Sequence, residues 1–135
     1  MRPRVLPSTA VFCVALLCGE AAWAQGVPEQ GFRIISTGNL GNCLACHALK
    51  ALPGEADRRG QRGLDSSFAP ALDKVGTRYS AEQLRQWVTD ARLVKPGTLM
   101  PPFGTTQGTT EPIRAQSILS PEQIEDVVAA LQSLR

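Results

Sequence analysis

The stretch Gly41-Asn42-Cys43-Leu44-Ala45-Cys46-His47 decides how this chain is interpreted. Its last five residues match C-x-x-C-H, the pattern through which haem c is attached to proteins. Residues three apart on a helical turn share one face, so the thiols of Cys43 and Cys46 are able to reach the two vinyl groups of one porphyrin. His47 then points its imidazole at the iron. The stretch therefore predicts a helical turn carrying one covalent haem c, with His47 as an axial ligand.

A zinc half-site and a redox-active dithiol are the other uses of such a cysteine pair. Zinc prefers four Cys or His ligands, and after the N-terminal segment the chain has only Cys43, Cys46 and His47 of these types. A thioredoxin-like dithiol belongs to a βαβ unit, and no segment of the chain alternates as a strand does. Haem attachment is the favoured interpretation.

The first 24 residues have the pattern of a cleaved Sec-type signal peptide. An early pair of arginines precedes an apolar run over residues 10–17, and Ala22-Trp23-Ala24 places small residues at the two positions that signal peptidase reads. The run is about half the length of a membrane span, so an uncleaved anchor is the lesser alternative. A lipoprotein anchored through Cys18 is weaker still, because a leucine precedes it. We expect a periplasmic domain of residues 25–135 with no membrane span.

Cleavage simplifies the inventory of reactive side chains. Cys13 and Cys18 leave with the signal peptide, so only two of the four cysteines remain, and His47 is the only histidine in the chain. The formal net charge of +2 for the whole chain indicates no strongly charged partner such as nucleic acid. Once the haem has taken both thiols and the imidazole, no cysteine nucleophile or Ser-His-Asp set is left. Any reaction here is redox chemistry at the haem or belongs to a partner.

The second axial ligand follows by elimination. No second histidine exists, and Met100 is the only methionine besides Met1. It lies in Thr98-Leu99-Met100-Pro101-Pro102, where the prolines stiffen the loop. A thioether ligand raises the haem potential and closes the iron to small ligands. The alternative is an ordinary core methionine beneath an open haem; we predict ligation by His47 and Met100.

Further side chains are candidates to support the haem. A ligating histidine usually donates its second N–H to a carbonyl or carboxylate, and the Phe68-Ala69-Pro70 turn offers the carbonyl of Pro70. Arg78, Tyr79 and Trp87 are candidate donors to the haem propionates, although Trp87 equally suits core packing and Arg78 a solvated surface. The basic residues after the motif either steer an acidic partner or form a solvated loop: Lys50, Arg58, Arg59 and Arg62.

Helical patterns account for the rest of the domain. The apolar cluster of residues 32–35 predicts a short helix that Gly38 ends. Two better helices begin with the capping boxes Ser80-x-x-Gln83 and Ser120-x-x-Gln123, and each has one apolar face. The first ends at Lys95-Pro96-Gly97 and the second runs to the C-terminus. We predict an all-α domain of about four short helices wrapped around one haem.

The chain resembles class I cytochromes c, and over residues 41–135 it is similar to the SoxX family, the small monohaem cytochromes of bacterial sulfur oxidation. The likeness joins the haem motif to four further blocks: Arg78-Tyr79-Ser80, the stretch from Gln83 to Ala91, Met100-Pro101-Pro102-Phe103-Gly104, and the stretch from Ile118 to Leu131. The chain departs from the family at Ser67-Phe68-Ala69-Pro70, where a Gly-x-Gly-Pro turn is common. It also departs in the long polar loop over residues 104–116, which is a candidate partner-binding loop.

The resemblance implies a periplasmic SoxX–SoxA heterodimer with L-cysteine S-thiosulfotransferase activity, which couples thiosulfate oxidatively to a cysteine of a carrier protein. The SoxA-like partner would hold the catalytic haem. This chain, not catalytic by itself, would accept electrons and pass them to a downstream cytochrome. Two alternatives remain open: a diffusible periplasmic electron carrier, and a haem enzyme or gas sensor with an open iron.

Overall fold

The computed structural model describes residues 25–50, 68–108 and 117–135. In chain order these residues form α1 (Pro28–Ser36), a 3₁₀ turn (Cys43–Ala45), α2 (Val75–Arg78), α3 (Ala81–Val94) and α4 (Pro121–Ser133). No strand occurs in these ranges. The predicted all-α domain of about four short helices is confirmed.

Three of the sequence predictions lie outside the described residues. These are the signal peptide over residues 1–24, the basic side chains Arg58, Arg59 and Arg62, and residues 109–116 of the polar loop. In the described ranges, no helix is both long enough and apolar enough to cross a membrane.

Helices α3 and α4 begin at the two capping boxes expected from the sequence. The N–H of Ser80 donates to Gln83 Oε1 at 2.8 Å, and the N–H of Gln83 donates to Ser80 Oγ at 3.2 Å. Ser120 and Gln123 make the same exchange at 2.9 and 3.3 Å. Each box satisfies N–H groups near the start of a helix that have no intrahelical partner. Both helix starts are therefore confirmed.

Helices α1 and α4 pack so closely that their backbones touch. A methyl group on Gly31 would lie 2.0 Å from the carbonyl oxygen of Asp126 and 2.7 Å from the Cβ of Ala130. The chain entering α1 is tied to α4 as well, because the N–H of Val27 donates to Asp126 Oδ1 at 2.7 Å. Ile35, on α1, is completely buried. The first and last helices thus form one packing unit that requires glycine at the crossing.

Helix α2 is a short element that the sequence pattern did not reveal. It follows Lys74, which has a left-handed backbone with φ of 57°. Its N–H at Gly76 donates to the carbonyl of Leu134 at 3.0 Å, which joins α2 to the C-terminal end of the chain. Four residues are too few for an apolar period to show, so only the tertiary contact identifies this helix.

Helix α3 is interrupted at Asp90, whose φ of −155° and ψ of 91° are extended. Near the interruption, the carbonyls of Val88 and Thr89 accept hydrogen bonds from a following loop, from the N–H of Phe103 at 3.3 Å and of Gly104 at 3.0 Å. The apolar spacing of α3 contains no sign of this break, because the contacts that accompany it are made with residues distant in sequence. The break turns part of a helix into a docking edge for that loop.

Replacing Gly31 by Ala tests the crossing of α1 and α4. Alanine is the better helix former by about 1 kcal/mol, yet its methyl group would overlap the backbone of Asp126. We therefore expect the free energy of unfolding to fall by about 2 kcal/mol, as measured by urea unfolding of the haem-loaded protein. Gly38→Ala is the matched control, because a methyl group there has nothing within 4 Å. Equal losses at the two positions would contradict the contact.

An ion pair between Asp90 and Arg92 lies at the α3 break, and it predicts a pH dependence of stability. Hydrogen bonds from Arg92 hold the pKa of the Asp90 carboxyl below its usual value. The carboxylate therefore stabilises the folded state above the ordinary aspartate pKa of about 3.9, and this contribution is lost as the pH falls through the lowered folded-state pKa. We expect Asp90→Asn to cost stability near neutral pH, with the difference from wild type shrinking in acid. Urea unfolding across a pH series measures this difference, and a gap that stays constant into strong acid would contradict the assignment.

Candidate haem-binding site

The C-x-x-C-H motif forms a tight turn shortly after α1. Asn42 precedes it with a left-handed backbone, at φ of 49°. The N–H groups of Cys46 and His47 both donate to the carbonyl of Cys43, at 3.2 and 2.9 Å. Leu44 is buried, whereas the two cysteines and the histidine are partly buried, and neither cysteine forms a disulfide. The predicted helical turn is confirmed as a 3₁₀ turn over Cys43–Ala45, and Cys46 and His47 follow directly after it.

The His47 imidazole is oriented by a hydrogen bond to the carbonyl of Pro70. Its Nδ1 lies 2.7 Å from that oxygen. A carbonyl oxygen only accepts hydrogen bonds, so Nδ1 carries a proton, and in the neutral ring Nε2 keeps its lone pair. This is the tautomer that a metal-binding histidine needs, and the hydrogen bond raises the basicity of the ring. The carbonyl chosen from the sequence is therefore in contact with His47, although the glycines common before this proline in the SoxX family are absent.

Residues 70–73, which include the acceptor carbonyl, are docked against the chain that follows His47. The N–H of Leu72 donates to the carbonyl of Ala48 at 2.8 Å. The N–H of Lys50 donates to the carboxylate of Asp73, at 3.0 Å to Oδ1 and 3.3 Å to Oδ2. These bonds fix the position of the Pro70 carbonyl relative to the imidazole.

The three candidate propionate donors lie on or next to α2 and α3. Arg78 ends α2, and its Nη2 donates to the carbonyl of Ala71 at 2.8 Å, so it supports the docked segment of residues 70–73. Tyr79 is exposed, and its carbonyl accepts from Gln132 Nε2 at 2.7 Å. Trp87 lies on α3 and is half-buried. The support from Arg78 was not expected from the sequence, and the role of all three residues at the propionates stays a prediction.

Met100 lies in the loop after α3, partly buried and packed against the same hydrophobic core as Cys43. Three residues later, Phe103 is buried at 7% exposure. Its N–H donates to the carbonyl of Val88, and its own carbonyl accepts from the N–H of Leu119 at 2.9 Å. Backbone bonds therefore anchor this loop, in addition to the prolines that follow Met100.

The described residues give little support to zinc or dithiol chemistry. They contain no strand, and so no βαβ unit of the kind to which a thioredoxin-like dithiol belongs. Within residues 25–50, 68–108 and 117–135, no three His, Cys, Asp or Glu side chains are grouped so as to hold a metal ion. Two cysteines outside any disulfide, an imidazole oriented through Nδ1 and a core-packed thioether instead fit the attachment and ligation of haem c.

Sequence reasoning missed the ion pair of Asp90 and Arg92. The Arg92 Nε and Nη2 donate to Asp90 Oδ1 and Oδ2 at 2.8 and 2.7 Å. Residues two apart do not face each other on a regular helix, so this pair forms only because α3 breaks. Asp73 was missed for a similar reason, since it bonds to a backbone group far away along the chain. No spacing in the sequence signals either contact.

Comparison with known proteins agrees with this arrangement. The family model for cytochrome c matches residues 29–135. Among solved structures, a chain in the crystal structure of SoxXA from P. pantotrophus matches with a TM-score of 0.71 and 39% sequence identity, over 82% of this chain and 83% of that chain. No curated protein sequence matched.

Replacing both Cys43 and Cys46 by Ala tests covalent attachment. Without either sulfur no thioether bond forms, so we expect the double variant to lose the haem stain that survives denaturing electrophoresis and the mass increment of one haem. Met100→Leu is the control; it removes a sulfur from the Met loop but no thiol, and should keep both signals. A stain retained by the double variant would overturn the assignment of these cysteines.

Proposed function

We propose, from the premise that this chain belongs to the cytochrome c family, that it is the electron-transfer subunit of a periplasmic, thiosulfate-oxidising SoxXA-type complex. Family membership implies a covalent haem c, and Cys43, Cys46 and His47 fit its attachment motif. The predicted class I fold and the predicted likeness to SoxX are both confirmed by the two matches. The electron-transfer role belongs to the family; the partner, the substrate and the location are the parts that we propose.

The residues of this chain are assigned as follows. Cys43 and Cys46 form the thioethers, and His47 and Met100 are the axial ligands. When bound, the haem supplies a one-electron redox centre at its iron. The observation that carries this assignment is the hydrogen bond from His47 Nδ1 to the carbonyl of Pro70, because it leaves Nε2 as the ring nitrogen that can bind the iron.

The peripheral residues have supporting roles in the proposal. Arg78, Tyr79 and Trp87 remain the proposed donors to the propionates. The bonds of Arg78 to Ala71 and Asp73 both come from Nη2, and a guanidinium carries five N–H donors in all, more than these two bonds use. A charge-assisted bond from Arg78 to a propionate would hold the haem edge in register with the docked segment of residues 70–73.

The sulfur chemistry is assigned to the partner. Joining a thiosulfate sulfur to a cysteine thiol makes one S–S bond and releases one proton and two electrons. A haem held by Cys43, Cys46, His47 and Met100 would supply a one-electron centre, so the two electrons would leave the SoxA-like subunit in two successive transfers through this chain to a downstream cytochrome. This chain has no thiol outside the haem motif after cleavage of residues 1–24, which agrees with a role limited to electron transfer.

Exposed apolar side chains beside the Met100 loop favour a bound partner over a free carrier. Leu93 and Val94, at the end of α3, are 84% and 41% exposed, and Leu99 is 80% exposed. A turn closed by the N–H of Thr98 and the carbonyl of Lys95 lies between them. Exposed apolar side chains can mark interaction sites, so we propose that these three residues, which we call the Leu93–Leu99 patch, contact the SoxA-like subunit.

Purification of the exported protein from its native host, under gentle conditions, tests this function. We expect a second cytochrome to co-purify with one haem on this chain, and thiosulfate with the carrier protein to reduce that haem only in the complex. A lone monohaem protein would leave the haem assignment intact and support a diffusible carrier instead. Carbon monoxide binding by the reduced wild-type protein would point to the open-iron alternative.

Paired surface variants sharpen the test. Leu99→Asp places a charge in the Leu93–Leu99 patch, and we expect it to release the partner while the haem spectrum is unchanged, because an unpaired carboxylate is costly to bury in an apolar contact. Val27→Asp is the matched control, since Val27 is also an exposed apolar residue, at 47%, but lies before α1. Equal co-purification of both variants would place the partner elsewhere.

A further inference from the structure

The break in α3 is built around a carboxylate with little exposure to solvent. Asp90 is 7% exposed and has an extended backbone inside the helix. Its Oδ1 accepts from the N–H of Arg92 at 3.1 Å, so the side chain takes the place of a helical carbonyl. The same carboxylate is bound by the Arg92 guanidinium through two nitrogens. Backbone and side chain of Arg92 are therefore both fixed by one acid.

The break makes α3 an acceptor for the loop that carries Met100. Val88 and Thr89 immediately precede Asp90, and their carbonyls bind the N–H groups of Phe103 and Gly104. At Gly104 the approach is close: a methyl group there would lie 2.7 Å from Ile124 Cδ1 and 2.8 Å from Thr89 Cγ2. The residues just after Met100 are therefore seated on the broken part of the helix.

Arg92 also binds the far side of the same loop. Beyond its bonds to Asp90, its Nη1 donates to the carbonyl of Gly108 at 3.0 Å and its Nη2 to the carbonyl of Gln107 at 2.5 Å. The loop following Met100 is thus held at two places, by the carbonyls before Asp90 and by the side chain after it. The second attachment is made by the same guanidinium that binds Asp90, and the first lies directly before Asp90 in the chain.

We propose that Asp90 and Arg92 are positioning residues for the axial ligand Met100, and that they set how firmly the sixth position of the iron is closed. The inference rests on the proposed ligation by Met100. A foreign ligand would bind only in molecules whose thioether is off the iron. Its apparent affinity is therefore the intrinsic affinity multiplied by the fraction of such open molecules. Loosening the loop raises that fraction and strengthens foreign-ligand binding.

A second ion pair on α3 provides a matched comparison. The Arg85 Nε and Nη2 donate to Glu125 Oε1 and Oε2 at 2.6 and 2.8 Å, with both side chains partly buried. This pair has the same chemistry as Asp90–Arg92 but joins α3 to α4. Loss of either pair is expected to lower stability, whereas only loss of the Asp90–Arg92 pair is expected to affect Met100.

The experiment uses the haem-loaded wild type and the variants Arg92→Gln, Arg92→Lys, Arg85→Gln and Met100→Ala. Two properties of the oxidised proteins are measured: imidazole affinity and the far-red absorption that reports an iron–methionine bond. We expect Arg92→Gln to bind imidazole roughly tenfold more tightly than wild type, with a weakened far-red band. Arg92→Lys keeps the charge but not the planar fork, so its imidazole affinity and far-red band should lie between those of wild type and Arg92→Gln. Arg85→Gln should match wild type in both measurements.

The outcomes separate this inference from the function on which it rests. Wild-type affinity and band in both folded Arg92 variants would overturn the positioning role, and so would an equal effect of Arg85→Gln. If Arg92→Gln does not fold, Arg92→Lys alone decides in the same way. A wild type that lacks the band and binds imidazole as Met100→Ala does would instead contradict Met100 ligation, and with it this inference.

Discussion

The close crossing of α1 and α4 is the constraint on which the other elements depend. Backbone contact at Gly31 fixes the separation of α1 and α4, and therefore the distance between the two ends of the domain. The turn with Cys43 follows shortly after α1, α2 bonds to the end of α4 through Gly76, and α3 joins α4 through the pair of Arg85 and Glu125. The position of each element that presents a haem-site residue is thus set relative to α1 and α4.

The two sides of the site are supported by the same physical device. On one side, the carbonyl of Pro70 lies outside any helix and accepts from His47. On the other, the carbonyls of Val88 and Thr89 accept from the loop after Met100 beside a helix break. Carbonyls already used within regular helices offer little for such contacts. The domain therefore positions its candidate ligands at places where regular structure ends, and it holds those places with polar side chains.

Sequence reasoning succeeded where the chemistry is local. The haem motif needs only five consecutive residues, and the helix starts at Ser80 and Ser120 need only a box of four, so spacing alone was sufficient. The Pro70 carbonyl was found because a metal-binding imidazole needs an acceptor and a nearby turn offered one. By contrast α2, Asp73 and the Asp90–Arg92 pair were not found, because each is defined by a partner distant in sequence or by a broken helix.

Residue types and their spacing were sufficient for the all-α class, the haem-attachment motif and the short list of ligands, because they dictate that chemistry before any folding. With one histidine, and one methionine besides Met1, there was little left to choose between. The orientation of the His47 ring, the carbonyls that hold the Met100 loop and the position of the break in α3 were seen only in the folded chain. These depend on distances between segments far apart in the chain, and the balance of burial, hydrogen bonding and local propensity that sets such distances is settled only when the whole core packs.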